Sequence, residues 1–222
     1  MASYGSKILK WFDDRYGVKD DWSRQVDQIV PAHATKWYYC LGGLTFMMIC
    51  IEVISGVLLM FYYKPSVKEA YDSVRFISTS VPFGWLVRSV HHWGANLTVI
   101  FILLHMLRIW FTGQYKNPRE LSWVSGVFLL VIVFGFSFTG YLLPWDQLAY
   151  WATTVGSEIT GAVPPAPLGH AILMLLRGGE TVSGDTLTRF FAIHVAVLPL
   201  MVMLFMGAHF AMIRRQGIGG GY

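Results

Sequence analysis

Four long runs of this 222-residue chain are almost purely apolar, at 37–63, 91–111, 123–143 and 190–213, and charged and turn-forming residues return between them. Each run is long enough to cross about 30 Å of hydrocarbon as a helix rising about 1.5 Å per residue. The pattern predicts an all-α membrane protein built as a bundle of four transmembrane helices. It sets the organisation as a surface segment over 1–36, the bundle over 37–213 and a short tail over 214–222.

The segment over 1–36 interleaves Lys7, Lys10, Arg15, Lys19 and Arg24 with Asp13, Asp14, Asp20, Asp21 and Asp27 and has no apolar core of the signal-peptide kind. It reads as an amphipathic surface helix, not a cleaved signal. Composition agrees with a membrane setting, with 55% hydrophobic and 14% charged residues. The basic residues are unevenly placed. The segment through Lys36, the connection between the second and third spans with Arg108 at its edge, Lys116 and Arg119, and the terminal Arg214 and Arg215 hold most of them. The two other connections hold Lys64, Lys68, Arg75, Arg88, Arg177 and Arg189. An even number of spans puts both termini on one side, and the positive-inside rule makes it cytoplasmic. The net charge of +4 then reflects topology, and nucleic acid is not needed to explain it. Cys40 and Cys50 both fall in the first span, so neither marks an oxidising compartment.

Histidines change the picture most. His91 and His105 are fourteen apart in the second span, and His194 and His209 are fifteen apart in the fourth. Either spacing returns a side chain to roughly the same helix face about 21 to 22 Å further along. Each helix thus carries one histidine near each side of the membrane, where an unpartnered histidine is costly. Two matched pairs suggest two metal centres stacked across the bilayer, and bis-histidine haem is the natural candidate. Zinc wants three or four ligands converging on one point, which this spacing does not supply. The plain alternative is four hydrogen-bonded interior histidines, as in a haem-free transporter with a proton path. Gly42 and Gly56 in the first span, and Gly126 and Gly140 in the third, repeat the fourteen-residue period. Such glycines let a flat macrocycle approach the backbone; the alternative is ordinary small-residue helix packing.

Arg88 and Arg108 stand near the two histidine levels, where a haem propionate needs a cation, and Arg214 closes the fourth span; headgroup snorkelling is the alternative for all three. Glu52 lies inside the first span, and an intramembrane carboxylate is either protonated and structural, paired, or facing a quinone cavity.

Five segments carry a resemblance: RSVHHWGAN at 88–96, PRELSWVSG at 118–126, TGYLLPWDQ at 139–147, TLTRFFAIH at 186–194 and HFAMIRRQG at 209–217. Together they resemble the cytochrome b6 family, the four-helix, dihaem half of the cytochrome b of quinol-oxidising bc complexes, over nearly the whole chain. The fifteen-residue spacing is similar to b6-type proteins; the mitochondrial type has fourteen. An end soon after the fourth span is similar to the split form, whose remaining helices lie in a separate subunit IV.

The resemblance implies that His91 and His194 hold the outer b haem, and His105 and His209 the cytoplasmic one. It implies that Cys40, in WYYCLGG, anchors a third, c-type haem through one thioether beside the inner b haem, with Arg214 close by. From the residues alone, a free cysteine is most often a small packing residue, the role left to Cys50. The implied activity is transmembrane electron transfer in a Q-cycle. Quinol (plastoquinol or menaquinol) is oxidised outside, with electrons going to an acceptor of the cytochrome c or plastocyanin type. Implied partners are subunit IV, a Rieske iron–sulfur protein and a c-type cytochrome subunit in a dimeric complex, and the chain alone is inactive. Glu52, Trp145, Asp146 and Tyr150 are the quinone-site candidates. The connection over 151–189 is longer than in the plant and cyanobacterial pattern, and Glu52 stands where glutamine is usual. Both departures favour a bacterial plasma membrane over a thylakoid. The runner-up is a bis-haem membrane anchor of a dehydrogenase.

Overall fold

A computed structural model describes residues 32–217, Gly219, and the isolated Lys7 and Lys10. Residues up to Thr35 form a unit separate from Lys36–Tyr222, and of that unit only the 3-10 turn Ala32–Thr35 is described as a continuous element. The expected amphipathic segment therefore lies almost wholly outside the described residues.

All the regular elements among the second unit's described residues are helices. A 3-10 turn, Trp37–Tyr39, leads into α1 (Leu41–Met60), followed by α2 (Ala70–Thr79), α3 (Gly84–Phe111), α4 (Glu120–Leu142), α5 (Gln147–Gly161), α6 (Ala166–Arg177), α7 (Gly184–Ala192) and α8 (Leu198–Gln216). A π-turn over Ile193–Val197 joins α7 to α8, so that 184–216 is one continuous rod. Four helices are long and apolar enough to cross a membrane: Leu41–Met60, Gly84–Phe111, Glu120–Leu142 and Gly184–Gln216. Large apolar side chains such as Ile54, Val131 and Leu204 stay exposed on them, as lipid-facing positions do.

These rods overlap the expected spans but end elsewhere, for local reasons. The first starts four residues late because Trp37–Tyr39 makes the tighter turn, and it stops before Lys64, whose α conformation Pro65 disfavours. The second starts two turns early, at Gly84, behind Phe83 in the left-handed region at φ 58°. Its 28 residues reach about 42 Å, longer than the hydrocarbon, so hydropathy alone misses the protruding end. The fourth starts early at a capping box, where Ser183 and Thr186 satisfy each other's backbone N–H groups. It also runs on through Arg214 and Arg215 to Gln216.

Helix α1 packs along α3, and α8 along α4. Between the two histidine levels Ile102, Leu129, Ile132, Val133, Leu198 and Val202 form a dry apolar layer. The 151–189 connection, read from the sequence without internal structure, is the helix pair α5 and α6. Its keystone is Arg177, only 4% exposed. It donates to Ser157 Oγ at 2.7 Å, to the Thr154 carbonyl at 2.7 Å and to the Glu180 carbonyl at 3.0 Å, and its own carbonyl accepts from Thr186 Oγ1 at 2.7 Å. A buried guanidinium needs this many acceptors. On the opposite side, Gln216 accepts from Ser122 at 3.1 Å and donates to the Pro118 carbonyl at 2.7 Å, while Arg119 donates to the Gln216 carbonyl at 3.0 Å. This clasp fixes the end of α8 against the start of α4.

Candidate functional site

Each of the four histidines is half-buried and meets one of the four periodic glycines. A Cβ built on Gly140 would lie 2.7 Å from His194 Cε1, on Gly42 3.0 Å from His105 Cε1, on Gly56 3.2 Å from His91 Cε1, and on Gly126 3.6 Å from His209 Cε1. The matched periods of α1 and α4 against α3 and α8 thus have a concrete meaning: the missing side chain makes room for the imidazole ring itself.

The residue before three of those glycines carries a hydroxyl, and it bonds the same histidine. Ser55 Oγ is 3.0 Å from His91 Nδ1, Thr139 Oγ1 3.1 Å from His194 Nδ1 and Ser125 Oγ 2.8 Å from His209 Nδ1. The geometry assigns the proton. Each hydroxyl already donates its single hydrogen within its own helix: Ser55 to the Ile51 carbonyl at 2.7 Å, Thr139 to the Gly135 carbonyl at 2.7 Å and Ser125 to the Ser122 carbonyl at 2.9 Å. Toward the histidine each oxygen can only accept, so Nδ1 carries the proton and Nε2 presents a free lone pair. That is the tautomer a metal ligand needs. Leu41 precedes Gly42 instead, and His105 Nδ1 is buried with no partner. These hydroxyls are the histidine partners that spacing alone misses, although a Ser-Gly or Thr-Gly pair at three of the four periodic glycines was a readable sign.

The rings of His91 and His194 have centroids 6.4 Å apart and planes at 77°. Two metal–nitrogen bonds of about 2 Å, plus about 1.1 Å from each nitrogen to its ring centre, span about 6.2 Å when collinear. The pair therefore fits a single metal held from two opposite sides. Among the described residues no three His, Cys, Asp or Glu side chains converge as a metal cluster. Two histidines at this separation, without a third side-chain donor among the described residues, fit a metal whose other ligands would come from a macrocycle such as haem. His105 and His209 belong to the other level, seated on Gly42 and Gly126 respectively.

The remaining expected residues fall as follows. Arg88 is exposed and reaches Ser78 Oγ at 3.4 Å. Arg108 lies 4.4 Å over the Tyr39 ring and donates to Gln114 Oε1 at 2.5 Å, while its Nε is buried without a partner. Cys40 is exposed where the 3-10 turn meets α1, and Cys50 is half-buried; both are free thiols. Arg214 is exposed on the last turn of α8. Asp146 accepts from the Ala149 N–H at 2.8 Å and so caps α5, and Trp145 meets Tyr150 edge to face at 6.0 Å. Glu52 is engaged elsewhere than these three: its Oε2 lies 3.1 Å from His91 Nδ1.

The π-turn supplies the last element. Fourteen helical steps fall about 40° short of four turns and fifteen overshoot by about 60°, so plain α-helices would aim the two histidine pairs differently. Pro199 has no N–H for the Val195 carbonyl, and the Leu198 N–H reaches back five residues to Ile193. The wider turn absorbs one residue and returns His194 to the phase of a fourteen-residue pair.

The glycine contacts predict a graded series. Ala in place of Gly normally favours a helix by about 1 kcal/mol, but here the methyl would press on an imidazole ring, most closely at Gly140. Gly140→Ala should lose the haem of its level, Gly42→Ala and Gly56→Ala should lose progressively less, and Gly126→Ala should keep it. Haem content per chain by absorbance measures the order.

Residues 25–217 match the family described as Cytochrome b/b6/petB. The chain is 47% identical over 215 residues to cytochrome b6 of Synechococcus sp. (strain RCC307), covering 97% of each chain. It is 46% identical over 214 residues to cytochrome b6 of Gracilaria tenuistipitata var. liui, covering 96% of this chain and 98% of that one. Its fold is similar to a chain of a hyperthermophilic respiratory Complex III, with a TM-score of 0.83 and 34% identity, covering 96% of this chain and 56% of that one.

Proposed function

The chain belongs to the cytochrome b/b6 family, and on that premise we propose that it carries electrons across a membrane between two haem levels, each held by one histidine of α3 and one of the α7–α8 rod. At the coarser level it is an integral membrane, b-type cytochrome subunit of a quinol oxidoreductase. The observation that carries the finer reading is the two-tier set of histidines, each seated on a glycine and three of them held by a hydroxyl in the metal-ready tautomer.

His91 and His194 form the outer level, His105 and His209 the cytoplasmic one. A haem held by the two histidines of a level would supply reversible one-electron transfer. The glycines let the rings stand upright, the hydroxyls keep each Nδ1 protonated, and the apolar layer of Ile102, Leu129, Ile132 and Val202 keeps water out between the levels. Quinol gives up its electrons at the outer side, where Trp145 and Tyr150 form an aromatic wall. One electron goes to a Rieske protein, and the other crosses inward to a quinone near Cys40. Each charge moved against 100 mV stores about 2.3 kcal/mol. Cys40, an exposed free thiol at the start of α1, would hold a further haem through a thioether. Arg108 and Arg214 supply positive charge there for carboxylate groups, and Arg88 supplies it outside. Subunit IV, the Rieske protein and a c-type cytochrome complete a dimeric complex.

The test is a redox-difference spectrum of the complex in its native membrane. Two low-spin b-type components reducible by quinol are expected, with turnover to an acceptor requiring the partner subunits. Steady quinol oxidation by the purified chain alone, or a spectrum without both b components, would end this reading.

A further inference from the structure

Gln114 ties Arg108, on the last turn of α3, to Gly219 in the C-terminal tail. Its Oε1 accepts from Arg108 Nη1 at 2.5 Å, and its Nε2 donates to the Gly219 carbonyl at 2.8 Å. A guanidinium only donates and a carbonyl only accepts, so a bridge between them needs an acceptor and a donor on one side chain. An amide has both.

The chain builds each half of this bridge locally. After α3 the Gly113 N–H reaches the Trp110 carbonyl at 3.1 Å and the Gln114 N–H the Ile109 carbonyl at 3.0 Å, with Gly113 at φ 66°. That left-handed cap turns the chain back, so Gln114 lies beside the turn that carries Arg108. After α8 the clasp at Gln216 fixes the tail. Gly219 is then seated so closely that a Cβ there would overlap Arg119 Nη1 and lie 3.0 Å from Gln114 Cδ. Arg108 is held at two points, over the Tyr39 ring at 4.4 Å and by the Gln114 oxygen. Its Nε–H is buried and has no partner among the described residues. A buried donor without an acceptor is costly, and His105 of the cytoplasmic level stands three residues earlier on the same helix.

We infer that Gln114 is a positioning residue through which the C-terminal tail holds Arg108, keeping the unpaired donor of that cation in place for a carboxylate group at the cytoplasmic level. The inference rests on the haem assignment proposed above and deepens it. Without the bridge Arg108 keeps its charge but loses its fixed place. A guanidinium already fixed bonds a carboxylate at little entropic cost, whereas a free one must first be ordered. A segment beyond the last membrane span thus acts on a group inside the bundle.

The experiment is a potentiometric titration of the intact complex in detergent, followed at the b-haem absorbance bands, with the inner component identified as the one missing from His209→Leu. The variants are Gln114→Ala, a chain ending at Gln216, and the two combined. A cation held near a haem favours the reduced form, so loosening Arg108 should lower the inner midpoint. The expected fall is about threefold in the oxidised-to-reduced ratio, about 28 mV at about 59 mV per tenfold for one electron, with the outer midpoint unchanged. Because the tail acts through Gln114, the combined variant should fall no further than Gln114→Ala alone. In an Arg108→Gln background Gln114→Ala should change nothing more. An unmoved inner midpoint in Gln114→Ala, an equal fall at both levels, additive effects of the two changes, or a further fall in the Arg108→Gln background overturns the inference. Should the shortened chain fail to assemble, Gly219→Ala takes its place, since its methyl would overlap Arg119. A native complex lacking two low-spin b signals would remove this inference together with the function it rests on. With both signals present, only the role of Gln114 is at stake.

Discussion

His105→Leu or His209→Leu should abolish the inner b-haem signal and leave most of the outer one, and His91→Leu or His194→Leu should do the reverse. Each should stop quinol-driven electron transfer across the bilayer. The effect is all-or-none on the proposed assignment, in which each level has two histidine ligands and the loss of either would leave an iron held from one side. The fold should survive the change. His105 Nδ1 has no hydrogen-bond partner, so Leu there removes a buried unsatisfied group instead of creating one. Ser125 keeps its bond to the Ser122 carbonyl when His209 is lost, so no orphan hydroxyl remains. Absorbance of each purified variant complex measures the outcome, and both signals surviving in all four would refute the ligand assignment.

The second large effect is chemical and not conformational. A thioether survives denaturation, whereas histidine ligation does not, so the native chain should retain one haem on a denaturing gel and shed the others. Cys40→Ser should abolish that stain and leave both b signals, and Cys50→Ser should leave it intact. The placement of the two thiols supports the contrast: Cys40 is exposed where α1 begins, and Cys50 is half-buried about 15 Å further along the helix. A native chain with no retained haem would make Cys40 a packing residue.

The four rods were legible because a long apolar run has one economical solution in lipid, and the pairing of the histidines with the periodic glycines because fourteen residues nearly close four turns. Glycines without side chains at the same period pointed to the same two levels. The hydroxyls at 55, 125 and 139 escaped because a Ser or Thr inside an apolar run registers as neutral, and only its neighbour across the bundle reveals its task. Glu52 stood out as a charge but not as a partner of His91, since which face of α1 meets α3 is settled by packing. Helices α5 and α6 escaped a search for long apolar spans, although the cap at Asp146 and the stop at Gly178, with φ 81°, were written in the residues. The π-turn escaped because fourteen and fifteen were treated as equivalent, and they are equivalent only after Pro199 has interrupted the ladder.

That interruption separates counting along the chain from measuring across the fold. A rod with fourteen residues between its histidines and no wide turn, and one with fifteen and a single wide turn, offer the same pair of nitrogens to the same plane. An insertion beside Pro199 is therefore silent at the site, and a signature keyed to residue number would divide proteins whose ligands are superimposable.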